Sequence, residues 1–146
     1  MPEKADFDLQ LFLPYLLNQA AEAASLAFQR DYKARYGLLR TEWRVLAHLG
    51  QHGPMTARAI CDRSHLHKTK VSRAVAALAA RRYLERKTQD SDRRSELLHL
   101  TSAGQTVYTD LGQVALAAEA RLRARIPPEE WEVLRRCLIR LAAPPP

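Results

Sequence analysis

From His67 to Arg73 the chain reads HKTKVSR, and from Asp90 to Arg94 it reads DSDRR. The first stretch sets imidazole, ammonium, hydroxyl and guanidinium groups within two helical turns, with no carboxylate among them. Such a set recognises anions: Lys and Arg match phosphate oxygens and guanine O6 and N7, and Ser and Thr serve either base or phosphate. The second stretch puts acid beside base. Ordering a free guanidinium costs entropy, and Asp90 or Asp92 can hold Arg93 or Arg94 through a two-pronged ion pair. The product is a cationic finger suited to a narrow, strongly negative groove.

Charge placement supports this reading over a solvated surface. The 146 residues carry a formal net charge of +7. Cys61 to Arg94 hold ten basic and four acidic residues, so this window supplies six of the seven excess charges. A face for phosphate concentrates charge in this way.

Other chemistries find no support. The chain holds no Gly-rich phosphate loop, no HExxH and no G-x-S-x-G, and its carboxylates are scattered, so no catalytic residue, enzyme activity or cofactor is expected. Cys61, His65 and His67 form a C-x3-H-x-H pattern that reads as turn residues near phosphate rather than a metal site. His48 and His52, four apart on one helical face, read as surface or pocket lining. Two cysteines are too few for a disulfide framework, which predicts a reducing, cytoplasmic setting. Cys61 reads as a small core residue. The segment LQLFLPYLL follows Glu3, Asp6 and Asp8, which a secretory leader disfavours. It reads as buried helix, and no apolar run reaches the ~20 residues of a membrane span.

At 47% hydrophobic and 27% charged residues, the chain predicts one globular domain, and its periodicities place the elements. Leu9, Phe12, Leu13, Leu16, Leu17, Ala20, Ala24 and Ala27 follow helical spacing to about Tyr36, where Gly37 stops the helix. Pro14 either starts the main run or kinks it. Thr41 is the expected cap of a second helix carrying Trp43, Val45, Leu46 and Leu49. Thr56 caps a third, to about Arg63, and Ser64–His67 form a turn. A fourth helix, Lys68 to Arg82, has Val71, Val75, Leu78 and Ala79 in one stripe. The last pair is a helix-turn-helix, with His67, Lys68, Thr69, Lys70, Ser72 and Arg73 off the stripe and Ala76, Ala77 and Ala80 keeping it slim.

Tyr83–Thr88 and Glu96–Leu100 then read as a β-hairpin with the charged segment at its tip. Thr101 caps a long helix to about Ile126, roughly 37 Å for some 25 residues. Its face of Val107, Leu111, Val114, Ala118 and Leu122 is too long for so small a domain to cover. After Pro127-Pro128, a last helix spaces Trp131, Leu134, Leu138 and Leu141 as a packing seam. The fold class is mostly α with a small β-hairpin.

The succession of long helix, helix-turn-helix and LERKTQDSDRRSELLHLTSAG resembles the MarR family of winged-helix transcriptional regulators. The resemblance runs from about Leu13 to Leu141 and is most specific in D-x-D-R-R followed by Leu98, Leu100, Thr101 and Gly104. The segment TEWRVLAHL is also similar to the family's second helix. The resemblance implies a winged helix-turn-helix at 40–101, flanked by dimerisation helices at 1–36 and 102–146, with Leu13, Leu16, Trp131, Leu134, Leu138 and Leu141 in a homodimer interface. It implies a repressor on a pseudo-palindromic operator in double-stranded DNA, often released by a small ligand, for which an aromatic or phenolic effector is the natural test. By position, Arg73 matches a recognition-helix contact, and Asp92, Arg93 and Arg94 match the wing tip. Tyr15, Trp43 and His48 are candidate pocket linings. No Cys stands at the start of the first helix, where redox-sensing members carry one, and Cys137 lies beside the seam residue Leu138. The competing reading is a winged-helix module that docks protein or structured RNA without an operator.

Overall fold

A computed structural model describes residues 6–89 and 92–146, with the backbone alone at 92–95. A short 3-10 turn at Leu9–Leu11, capped by Asp8, leads into helix α1, Leu13–Tyr36. Pro14 lies in the first turn of α1, where a missing N–H costs nothing, so it starts the helix. Gly37 ends α1 with φ 65° and donates its N–H to the Lys33 carbonyl at 2.8 Å.

Helix α2 spans Arg40–His52. Its cap position is Leu39, which offers no side-chain acceptor, and Thr41 sits inside the helix rather than capping it. Leu38, fully buried, anchors the chain straight after the Gly37 turn. That burial brings the helix in early and outweighs a cap worth about 1 kcal/mol.

Strand β1, Met55–Thr56, comes next, then α3, Ala57–Ser64, and α4, Lys68–Ala80. Strands β2, Leu84–Gln89, and β3, Asp92–Leu100, precede α5, Ser102–Arg123, and α6, Pro128–Ala142. The expected two-stranded hairpin is one part of a three-stranded antiparallel sheet, ordered β1-β3-β2. Met55 pairs with Leu98 and Thr56 with Leu97. Two residues carry no period, so only the tertiary pairing makes β1 a strand. Helix α4 ends at Ala80, not Arg82, and α5 ends at Arg123, not near Ile126. Pro127 bars the residue before it from helical ψ, and the last turn tightens, with Arg125 N–H donating to Leu122 and Ile126 N–H to Arg123.

The chain forms two compact units. One is Gln29–Val114; the other is the chain up to Phe28 together with Ala115–Pro146. The first holds a closed core of Tyr32, Leu38, Val45, Leu46, Ile60, Val71, Leu78, Leu84, Leu98 and Leu111, each at most 2% exposed. Burial of such side chains stabilises by about 1.5–3 kcal/mol each before entropy is counted. The second has a different character. No residue of α6 is buried, and Leu13, Leu16, Leu134, Leu138 and Leu141 are all exposed. Trp131 is half-buried, with the Arg123 guanidinium 5.0 Å above its ring.

Candidate nucleic-acid interface

The helix-turn-helix is tied at each joint by local hydrogen bonds. Thr56 Oγ1 accepts from Ala59 N–H at 3.1 Å and starts α3. The chain leaves α3 through His65 in the left-handed region, φ 56°. Ser64 Oγ donates to the Ile60 carbonyl at 2.6 Å and accepts from Leu66 N–H at 3.3 Å. His67 caps α4, its Nδ1 accepting from Thr69 N–H at 3.2 Å. Val71, Ala74, Val75 and Leu78 are buried, which turns Lys68, Thr69, Lys70, Ser72 and Arg73 outward, all exposed. The expected stripe thus extends to Ala74, while Ala79 is only half-buried.

The end of α4 is closed by a Schellman pair: Tyr83 N–H donates to Leu78 and Arg82 N–H to Ala79, both at 2.9 Å. The left-handed residue is Arg82, φ 61°, where glycine is usual. Arg81 is exposed, yet its guanidinium is bonded to the protein. Its guanidinium donates to the Tyr36 carbonyl, and to the Gly37 carbonyl at 3.0 Å, satisfying groups that the end of α1 leaves open. Thr101 Oγ1 donates to the Arg82 carbonyl at 2.6 Å and accepts from Gly104 N–H at 3.0 Å, while Thr101 N–H donates to the Tyr83 carbonyl at 3.1 Å. These bonds fix the root of the hairpin against the end of α4.

In the hairpin, Leu84 pairs with Leu100 and Thr88 with Glu96. The register then jumps, and Gln89 pairs with Asp92. Arg93 and Arg94, expected at a loop tip, therefore lie on the backbone of β3 opposite this irregularity. A bulge absorbs the extra residues, so the strands run further out than their composition suggests. The side chains of Asp92, Arg93 and Arg94, and the expected clamp from Asp90, lie outside the described residues. Nearer the root, Arg86 and Glu96 form an exposed ion pair at 3.9 Å.

A cleft of about 350 Å³ opens between α2 and α5, lined by Trp43, Ala47, His48, Gln51, His52, Tyr108 and Gly112. Trp43 stacks on the buried Tyr32, centroids 6.3 Å apart. The Arg44 carbonyl accepts from His48 Nδ1 at 2.7 Å. Tyr15 is not among the lining residues, whereas Trp43 and His48 are. On α5 Asp110 accepts from Tyr36 Oη at 2.7 Å and from Arg35 at 3.0 Å. The phenol first, and then the guanidinium, hold its carboxyl below the usual carboxylate range. Among the described residues no group of three His, Cys, Asp or Glu is placed to hold a metal, and no helix is long and apolar enough to cross a membrane. Cys61 is half-buried and Cys137 exposed.

Residues 36–95 match the model of the MarR family. The chain is 27% identical over 120 residues to YwoH, an HTH-type transcriptional regulator of Bacillus subtilis, covering 81% of this chain and 87% of that one. A MarR/EmrR family regulator from Acinetobacter sp. ADP1 superposes with a TM-score of 0.82 at 26% identity, over 92% of this chain and 95% of that one. BpsR of Bordetella bronchiseptica shares the fold, with a TM-score of 0.87 at 18% identity over 97% and 100% of the two chains.

Over the helix-turn-helix and hairpin the chain matches the MarR family, and over most of its length it is similar to solved MarR-family regulators.

Within this winged helix, charge counting missed that Arg81 is engaged by backbone carbonyls. The Gly37 stop marks a helix C-terminus, which suits a cation, but nothing in the sequence places Arg81, at the end of α4, beside it. His52, read from the sequence as surface or pocket lining, lines the cleft, and Tyr108 and Gln51 join it without a signal of their own. Tyr108 lies one turn after Gly104 on the long helix, and only the packing against α2 gives it a role.

Proposed function

We propose that this protein is a MarR-family transcriptional regulator, a homodimeric repressor that binds a pseudo-palindromic operator in double-stranded DNA. The observation that carries the reading is the division of α4. Its apolar side chains close the core, which leaves Lys68, Thr69, Lys70, Ser72 and Arg73 on one free face at the leading end of the helix. Those first turns enter the major groove in a helix-turn-helix. The hairpin, with Arg93 and Arg94 on β3, is the part that meets the adjacent minor groove.

Two-fold pairing falls to the helices at 1–36 and 102–146, and DNA binding to 40–101. Support for pairing comes from the seam of α6: Leu134, Leu138 and Leu141 are 37%, 42% and 54% exposed in a single chain, and their spacing suits another helix. Release by a small aromatic or phenolic effector is supported by the cleft at Trp43, His48 and Tyr108, and by BpsR, whose DNA binding is regulated by 6-hydroxynicotinic acid.

Selection of bound sequences from a random duplex pool tests the reading. A two-fold symmetric consensus with half-sites about one helical turn, roughly 34 Å, apart is expected. Failure to enrich any sequence, with duplex RNA or acidic protein competing equally, would favour the docking module instead.

A further inference from the structure

Two histidines in this chain meet opposite kinds of backbone group through Nδ1. His48 Nδ1 lies 2.7 Å from the Arg44 carbonyl oxygen, which only accepts, so Nδ1 holds the hydrogen there. His67 Nδ1 lies 3.2 Å from the backbone nitrogen of Thr69, which only donates, so this Nδ1 presents a lone pair. A neutral ring with a lone pair on Nδ1 bears its hydrogen on Nε2. His67 is exposed and sits immediately before Lys68. Its Nε2 lies across the ring from the capping bond.

We infer that His67 is a fixed hydrogen-bond donor at the leading end of the recognition helix, and that its Nε2–H engages an acceptor on DNA, either a purine N7 or a phosphate oxygen. The inference rests on the operator reading above and deepens it. Capping alone does not call for histidine, because Ser, Asn and Asp cap helices better. What the ring adds is reach, with a polarity set by the cap. The same bond that starts α4 forbids this Nε2 from accepting, so amino groups such as cytosine N4 are refused at that position.

The tautomer is measured first, in the free protein, by long-range 15N–1H correlation spectra at neutral pH. A ring protonated on Nε2 alone is expected, and one protonated on Nδ1 overturns the inference without reference to DNA. The contact is measured on the selected duplex with parent and His67→Ser, because serine keeps the cap and removes the Nε2–H. Unchanged melting temperature and about tenfold weaker binding are expected, the size of one hydrogen bond. In the parent, one replacement of a purine by its 7-deaza analogue, or of one phosphate by a methylphosphonate, reproduces that loss; the variant is indifferent to it. A 7-deaza hit identifies a base and a methylphosphonate hit the backbone. Equal binding by the two proteins, or a variant sensitive wherever the parent is, overturns the inference alone. A pool in which the parent enriches nothing overturns the operator reading and this inference with it.

Discussion

A Cβ built at Gly104 falls 1.9 Å from the carbonyl oxygen of Tyr83. No side chain fits there, because the obstacle is backbone. Helix α5 starts this close to the chain leaving α4 because Thr101 bonds to both Arg82 and Tyr83. The glycine of the L-x-L-T-x-x-G segment is thus a packing requirement, and it sets where the hairpin leaves the helix-turn-helix.

Gly104→Ala must move either α5 or the hairpin root. Chemical denaturation is expected to show a loss of about 3 kcal/mol, the upper range for overpacking, and Thr101→Val a loss of about 1–2 kcal/mol from the lost cap. A Gly104→Ala protein as stable as the parent would refute the close approach.

Arg82 runs the other way. It holds φ 61°, a conformation that costs a residue with a side chain roughly 1–2 kcal/mol and glycine almost nothing. Arg82→Gly should raise the melting temperature by a few degrees, and a drop would mean that its side chain outweighs the backbone strain.

Arg81 separates structural from DNA-facing charge. Its bonds to Tyr36 and Gly37 predict that Arg81→Ala costs about 1 kcal/mol of stability, discounted because the side chain is exposed. The slope of log affinity for DNA against log salt should stay parental. Arg73→Ala and Lys70→Ala should behave oppositely, with parental stability. Lys70→Ala should lower the slope by about one unit if it meets phosphate, and Arg73→Ala should erode discrimination between operator and random duplex. Fluorescence titrations at four salt concentrations check all three.

Acid and base should loosen the Tyr36–Asp110 pair from opposite sides. The folded Asp110 carboxyl titrates below its unfolded value, so its contribution is complete above roughly pH 4 and is lost as pH falls through the depressed value. The Tyr36 phenol is raised, chiefly by its bond to Asp110. Its contribution is complete below about pH 10 and is lost as pH climbs through the raised value. Urea midpoints across pH for Asp110→Asn and Tyr36→Phe should lack the corresponding limb, and a parental pH profile in both variants would dismiss the pair as ornamental.

The cleft proposed for the effector has its own glycine. A Cβ at Gly50 would lie 2.4 Å from the Tyr108 ring, so Gly50→Ala must turn that ring out of the wall. A parent that shifts its melting temperature with 6-hydroxynicotinic acid or salicylate should lose the shift on Gly50→Ala or Trp43→Ala while still binding DNA. A retained shift would place the effector elsewhere.

Local patterns were enough to locate the helices, the helix-turn-helix and the basic face, because a 3.6-residue apolar stripe, a cap such as Thr56 or Thr101 and a run like HKTKVSR are written in neighbouring residues. They also identified Gly37 as a stop. They were not enough for strand β1, the start of α2 at Leu39, the bond from Arg81 to α1 or the wall formed by Tyr108. Each of those depends on a partner dozens of positions away, and the free energy that selects it comes from burial and backbone pairing across that distance. Sequence determined which cationic side chains this protein carries; tertiary packing decided which of them the fold itself engages, because every open backbone carbonyl near a guanidinium competes for it.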